Sequence, residues 1–191
     1  MTRPYGICWD LGDVIFSEDT EVKSDAGVTQ RVTLVPGIGE LIRLLAERGV
    51  PMAIISDTKR GACENVLAQH GLEDCFAHRT ISEELGVEKP DEAMFVTTCE
   101  ALKIPSGRLV MVGNHYYRDI EGARAVGMMT IWFHWNDRYP SPKQTPAAGY
   151  VARDASQVRS AIDDWVASLD AGSRSGSSPP VDAFGHLGPT V

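Results

Sequence analysis

An apolar run, Tyr5-Gly-Ile-Cys-Trp-Asp10, delivers one carboxylate at its end and a second three residues later. Leu11 and Gly12 lie between Asp10 and Asp13, and the chain turns apolar again at Val14-Ile15-Phe16. A carboxylate at the carboxyl end of a strand in an α/β sheet stands at the mouth of the crevice where such folds hold their ligands, which makes Asp10 a candidate nucleophile. The same Asp-x-Gly spacing also forms plain turns, because an aspartate side chain bonds the backbone just after it. Further polar groups punctuate the chain at Ser56 after Ala-Ile-Ile, at Lys89 in Val-Glu-Lys-Pro-Asp, and at Asn114, His115 and Asp119 after Leu-Val-Met-Val-Gly113. Taken singly, Ser56 reads as a helix cap and Lys89 as a solvated lysine ahead of a proline.

What decides between these readings is how the intervening elements position the groups. Ile38, Leu41, Ile42 and Leu45 recur at helical spacing after Pro36-Gly37 and stop at Gly49. Pro51-Met-Ala-Ile-Ile-Ser56 reads as a buried strand. Helices are predicted from Lys59 to His70, closed by Gly71, from Pro90 to Leu102, and from Asp119 to Val126. Arg108–Gly113 and Thr130–Phe133 read as strands, and Asp154 caps a last helix whose Val158, Ala161, Ile162, Trp165 and Leu169 form one stripe. Strands alternating with helices predict a three-layer α/β/α doubly wound parallel sheet, a Rossmann-like core with right-handed crossovers. Asp10, Ser56 and Gly113 then end their strands on one edge, so their loops converge.

Two segments break the rhythm. Residues 17–35 read as a polar excursion and an extended return, a short flap beside the site. From Ala171 to Val191 the Gly, Ser and Pro content cannot build a core, so residues 1–170 are expected to form the domain and 171–191 a flexible tail. With 43% hydrophobic residues in 191, one core is affordable, and a net charge of -8 argues against a broad nucleic-acid surface, which needs clustered Lys and Arg. Cys8, Cys63, Cys75 and Cys99 show no paired spacing of a zinc site and are expected to be reduced. The sequence shows no signal-peptide pattern and no apolar stretch long enough for a membrane span, which predicts a cytoplasmic protein.

Read together, Asp10, Ser56, Lys89 and the loop from Gly113 to Asp119 resemble, in order, the four motifs of the haloacid dehalogenase-like (HAD) hydrolase superfamily, over about Tyr5 to Leu169. The resemblance implies a phosphatase in which Asp10 attacks phosphorus and forms an aspartyl phosphate. It implies Mg²⁺ held by the Asp10 carboxylate, the Gly12 carbonyl and Asn114, with Asp119 binding directly, through water, or by orienting Lys89. Ser56, with Asp57 and Thr58 at the start of the next helix, and Lys89 would bind the phosphoryl oxygens. The gaps between motifs are too short for the family's cap domain, which implies a capless, open site. Such a site suits a phosphorylated metabolite or a bulky phosphorylated substrate, with a homo-oligomer as one way to complete its walls. Tyr116, Tyr117, Trp132, His134, Trp135 and Tyr139 are candidate wall residues.

Two positions depart from the family pattern. Gly12 stands where most family phosphatases carry the aspartate that protonates the leaving group, and positioned acid-base groups contribute about 10²–10⁴ in rate. Asp13 and His115 are candidate substitutes. Asn114 stands where an aspartate is expected and brings no charge to a cation. These departures keep open a binding or scaffold protein that has lost turnover, and, further off, carbon–halogen hydrolysis through the same aspartate.

Overall fold

The computed structural model describes residues 4–139 and 148–175. The chain enters through β1 (Gly6–Trp9), whose residues are all buried because the strand lies at the centre of the sheet with both faces covered. Ile7 and Trp9 point into one core and Cys8 into the other, as the two-residue strand period dictates. The segment expected as a flap is an antiparallel hairpin of β2 (Phe16–Lys23) and β3 (Thr29–Leu34). Its root is buried at Phe16 and Val32 while its outer strand faces water.

The chain then alternates α1 (Ile38–Glu47), β4 (Met52–Ser56), α2 (Arg60–His70), β5 (His78–Ile81), a single turn α3 (Ser82–Leu85), α4 (Glu92–Leu102) and β6 (Leu109–Gly113). The four predicted apolar positions of α1 are all buried. Asp91 caps α4 by accepting the Ala93 N–H at 2.9 Å. After β6 come a π-helical turn over Tyr116–Glu121, the short α5 (Gly122–Ala125), β7 (Met129–Phe133), β8 (Tyr150–Ala152) and α6 (Ala155–Ser175).

Six parallel strands stand in the order β5-β4-β1-β6-β7-β8. Trp9 pairs with Ile54 of β4 on one side and Val112 of β6 on the other. That register brings Asp10, Ser56 and Gly113 to one edge, at the point where the strand order reverses, which is where open α/β sheets bind ligands. The larger core lies between one sheet face and α1, α2 and α6, anchored by Trp9, Phe133 and Trp165. The smaller packs Cys8, Ala53, Ile55 and Met111 against Met94 and Phe95 of α4 and Ala123 of α5.

Three expectations are corrected. The helix predicted from Asp119 begins at Tyr116 and is wound wider in its first turn, because Asp119 reaches back to the N–H of His115. The last helix continues to Ser175, five residues into the segment expected as tail, and residues 176–191 lie outside the described residues. Strand β8 was not predicted, since of its three residues only Ala152 is buried and no alternation is visible over so short a span. All four cysteines are free thiols. Among the described residues no helix is long and apolar enough to cross a membrane.

Candidate active site

Lys89 organises the site. Its backbone sits just before α4, and its side chain is buried, so the ammonium needs counter-charges to be buried at all. It has two, with Nζ donating to Asp10 Oδ1 at 2.6 Å and to Asp119 Oδ1 at 2.7 Å. Burial opposes its charge, but the Asp10, Asp119 and Asp57 carboxylates outweigh burial and hold its pKa above the ordinary lysine value. Burial pushes the Asp10 carboxyl up to about 6 against the pull of Lys89, and Asp119 adds to the rise.

Asp119 has both oxygens occupied, Oδ1 by Lys89 and Oδ2 by the His115 N–H at 2.9 Å. Of the three alternatives implied for it, the geometry matches orientation of Lys89. It can lie this close to β6 only because residue 113 has no side chain, since a Cβ on Gly113 would fall 2.3 Å from the Asp119 Cβ. Asp57 braces the same corner, its Oδ1 accepting the Lys89 N–H at 2.9 Å and its Oδ2 facing Arg118 Nη1 at 3.2 Å. The Asp57 side chain is therefore a strut, which leaves only its backbone N–H for the expected contact with a phosphoryl oxygen.

These groups line a cleft of about 210 Å³ at the strand edge, together with Gly12, Ser56, Thr58, Asn114 and His115. Ser56 ends β4, is 4% exposed and lines the cleft. The Asn114 side chain is buried, and its Nδ2 has no hydrogen-bond partner although its backbone carbonyl accepts the Trp132 indole N–H at 2.9 Å. The Asp10 carboxylate, the Gly12 carbonyl and the Asn114 side-chain oxygen are of the kind that suits Mg²⁺, which takes oxygen ligands, keeps several waters and needs few protein groups, whereas the unpaired Asn114 Nδ2 is an N–H donor and cannot ligate it. Among the described residues, no three His, Cys, Asp or Glu side chains cluster as a self-sufficient metal cage.

Asp13 does not face the cleft, which corrects its candidacy as a substitute acid. It is fully buried with a left-handed φ of 48°, accepts the Glu18 N–H at 2.9 Å, and pairs with Arg138. His115 does line the cleft, but its Nδ1 accepts the Arg118 N–H at 3.2 Å and burial lowers its pKa, both of which disfavour the protonated ring. Of the six expected wall residues, Tyr139 alone lines the cleft. Tyr116 packs edge-on against Trp132, Trp132 stacks on His134, Trp135 donates to the Asp13 carbonyl at 2.7 Å, and Tyr117 is exposed.

The remaining wall comes from residues to which the sequence reading gave no role. The hairpin contributes Glu18, Glu21, Lys23 and Thr29, and the fourth loop contributes Arg118. Arg118 lies within the motif that drew attention to Asn114 and Asp119, so its cation was visible there. The hairpin residues carried no such signal, because which of them face the site depends on how the two strands pair. Burial, with Asp13 nearby, raises the pKa of Glu18.

A family profile described as haloacid dehalogenase-like hydrolase matches residues 7–127. A glyceraldehyde 3-phosphate phosphatase of Pyrococcus abyssi is 34% identical over 135 residues, covering 71% of this chain and 54% of that protein. A ribulose-1,5-bisphosphate 5-phosphatase of Halopiger xanaduensis is 36% identical over 104 residues, covering 54% of this chain and 44% of its own. The chain thus spans about half the length of these curated relatives. Among solved structures, an uncharacterized protein of Listeria monocytogenes serotype 4b superposes with a TM-score of 0.68 at 24% identity, covering 85% of this chain and 99% of that one, a likeness of fold.

Proposed function

The chain belongs to the haloacid dehalogenase-like hydrolase family, and from that premise we propose that it is a phosphatase that hydrolyses a phosphomonoester by way of an acyl phosphate on Asp10. The observation that carries the reading is the buried Lys89 ammonium held 2.6 Å from Asp10 and 2.7 Å from Asp119 in a cleft at the strand edge. A lysine fixed there presents a positive charge to an incoming phosphate without reorganising, which lowers the cost of bringing two anions together. An Asp10 oxygen bonds to phosphorus, the ester P–O bond breaks, and the alcohol oxygen leaves with the electron pair and takes up a proton. Water then bonds to the same phosphorus, the P–O bond to Asp10 breaks, and inorganic phosphate is released.

Ser56 and the backbone following it would donate to the phosphoryl oxygens on the side of β4, and Lys89 from the side of α4, since all of them line the cleft. Asp10, the Gly12 carbonyl and Asn114 would hold Mg²⁺, which when bound neutralises phosphate charge and orients the ester for in-line attack. The relatives named as phosphatases of glyceraldehyde 3-phosphate and ribulose 1,5-bisphosphate favour a small phosphorylated metabolite as the substrate class.

The test is phosphate release by purified protein from a panel of phosphorylated metabolites, with Mg²⁺ and with a chelator. The expected result is release that needs Mg²⁺ and is lost in Asp10→Asn. Release that persists in Asp10→Asn overturns the mechanism. Binding of phosphorylated ligands without any turnover would support instead the scaffold reading that Gly12 and Asn114 favour.

A further inference from the structure

We propose that Glu18, on the hairpin, is the catalytic acid and base of this site, an assignment that rests on the phosphatase reading above. Cleavage of a phosphate ester leaves an alkoxide that must be protonated, and the cleft has to supply the proton. The carboxylates that line it are Asp10, Glu18, Glu21, Asp57 and Asp119. Asp10 is the nucleophile. Asp57 and Asp119 have both oxygens taken by Lys89, Arg118 and His115. Glu21 accepts from the Thr29 hydroxyl through Oε1 and pairs with Lys23 through Oε2 at 3.0 Å. Glu18 is held loosely by comparison, with Arg138 Nε and the Tyr139 hydroxyl each 3.5 Å from its oxygens, the outer limit of a hydrogen bond.

Its location is the stronger argument. A Cβ built on Gly12 would lie 2.3 Å from Glu18 Oε1, so the Glu18 carboxylate fills the space that a side chain two residues beyond Asp10 would occupy. The glycine and the glutamate are thus one feature, in which residue 12 is empty because residue 18 supplies the carboxylate from the other side. Asp13 and Arg138 fix that arrival. Asp13 accepts the Glu18 N–H at 2.9 Å, and Arg138 pairs with both Asp13 and Asp19 on either side of the turn into β2.

In the first step the ester oxygen leaves phosphorus with its bonding pair and takes the proton of the Glu18 carboxyl, so that a neutral alcohol departs. In the second, the Glu18 carboxylate takes a proton from water as the water oxygen bonds to phosphorus and the bond to Asp10 breaks. Both Asp10 and Glu18 end as they began. The missing leaving-group acid at Gly12 is then supplied by Glu18.

The experiment compares an alkyl phosphate with 4-nitrophenyl phosphate, whose leaving group needs no proton, in wild type, Glu18→Gln, and the double variant Gly12→Asp/Glu18→Ala. Calorimetry of Mg²⁺ binding is run on each. Glu18→Gln is expected to lower kcat on the alkyl phosphate by about 10²–10⁴ and on the aryl phosphate by a smaller factor, with Mg²⁺ affinity retained. The double variant, which returns a carboxylate from the side of β1, is expected to recover part of the alkyl rate. Equal losses on both esters, or a loss that tracks weakened Mg²⁺ binding, overturns the assignment to Glu18 while leaving the nucleophile in place. Absence of Asp10-dependent release from the wild type overturns both this assignment and the phosphatase reading.

Discussion

At the scale of single residues, the centre of the site is a buried triad in which one ammonium satisfies two carboxylates. Lys89 and Asp119 have side chains only 2% and 1% exposed, so removing the cation strands negative charge where water cannot reach it. Lys89→Met is expected to destabilise the protein by about 3–5 kcal/mol, read from urea unfolding, as well as to abolish turnover. The pH dependence follows from Asp10, whose carboxyl is raised to about 6 from an ordinary value of 3.8. A group whose folded pKa lies above its unfolded one contributes stability that is complete below the unfolded value and lost as pH climbs through the folded one. Metal-free protein is therefore expected to lose stability from this group between about pH 4 and about pH 6, and Asp10→Asn to flatten that slope in urea titrations across the window. Asp10, Ser56, Lys89, Asn114 and Asp119 were all visible in the sequence, because each falls at the end of a strand-like run or beside a predicted helix start. The tasks of Asp57, Asp13 and Glu18 were not, since which partner takes each oxygen is set by contacts between segments 5 to 125 residues apart.

At the scale of elements, the sheet and its helices follow from apolar periodicity, and the hairpin is where local pattern runs out. Its strands show register shifts between Ser17 and Lys23, and its outer face is polar, so alternation gave an extended segment without saying which side chains turn inward. What fixes it is remote in sequence. Arg138, from the loop after β7, pairs with Asp13 and Asp19 and reaches Glu18 at 3.5 Å. The Arg138 side chain is 31% exposed, which moderates the strength of these pairs. Arg138→Ala is expected to speed hydrogen exchange of the β2 and β3 amides about tenfold while β1 and β6 exchange as before. Uniform acceleration in every strand would instead mean that Arg138 supports the whole fold. The π-helical turn after β6 was likewise illegible, because a helix pattern starting at Asp119 does not reveal that His115 and Asp119 bond each other across a widened turn.

At the scale of the molecule, the fold class was legible because strands and helices alternate with lengths that admit few other topologies. Among the described residues, the hairpin and α1 lie between β1 and β4, and α2, β5, α3 and α4 between β4 and β6. The donors proposed for Mg²⁺ come together only in the folded chain, so the ion is expected to bind the native state alone. At about a hundredfold excess over its dissociation constant it is expected to add roughly 2.7 kcal/mol, seen as a higher unfolding temperature in wild type and not in Asp10→Asn. Two indoles are tied to the backbone of the very loops that hold these donors, Trp132 to the Asn114 carbonyl at 2.9 Å and Trp135 to the Asp13 carbonyl at 2.7 Å. The molecule thereby carries its own optical probes, and occupancy of the site should register as a change in tryptophan emission from unlabelled protein.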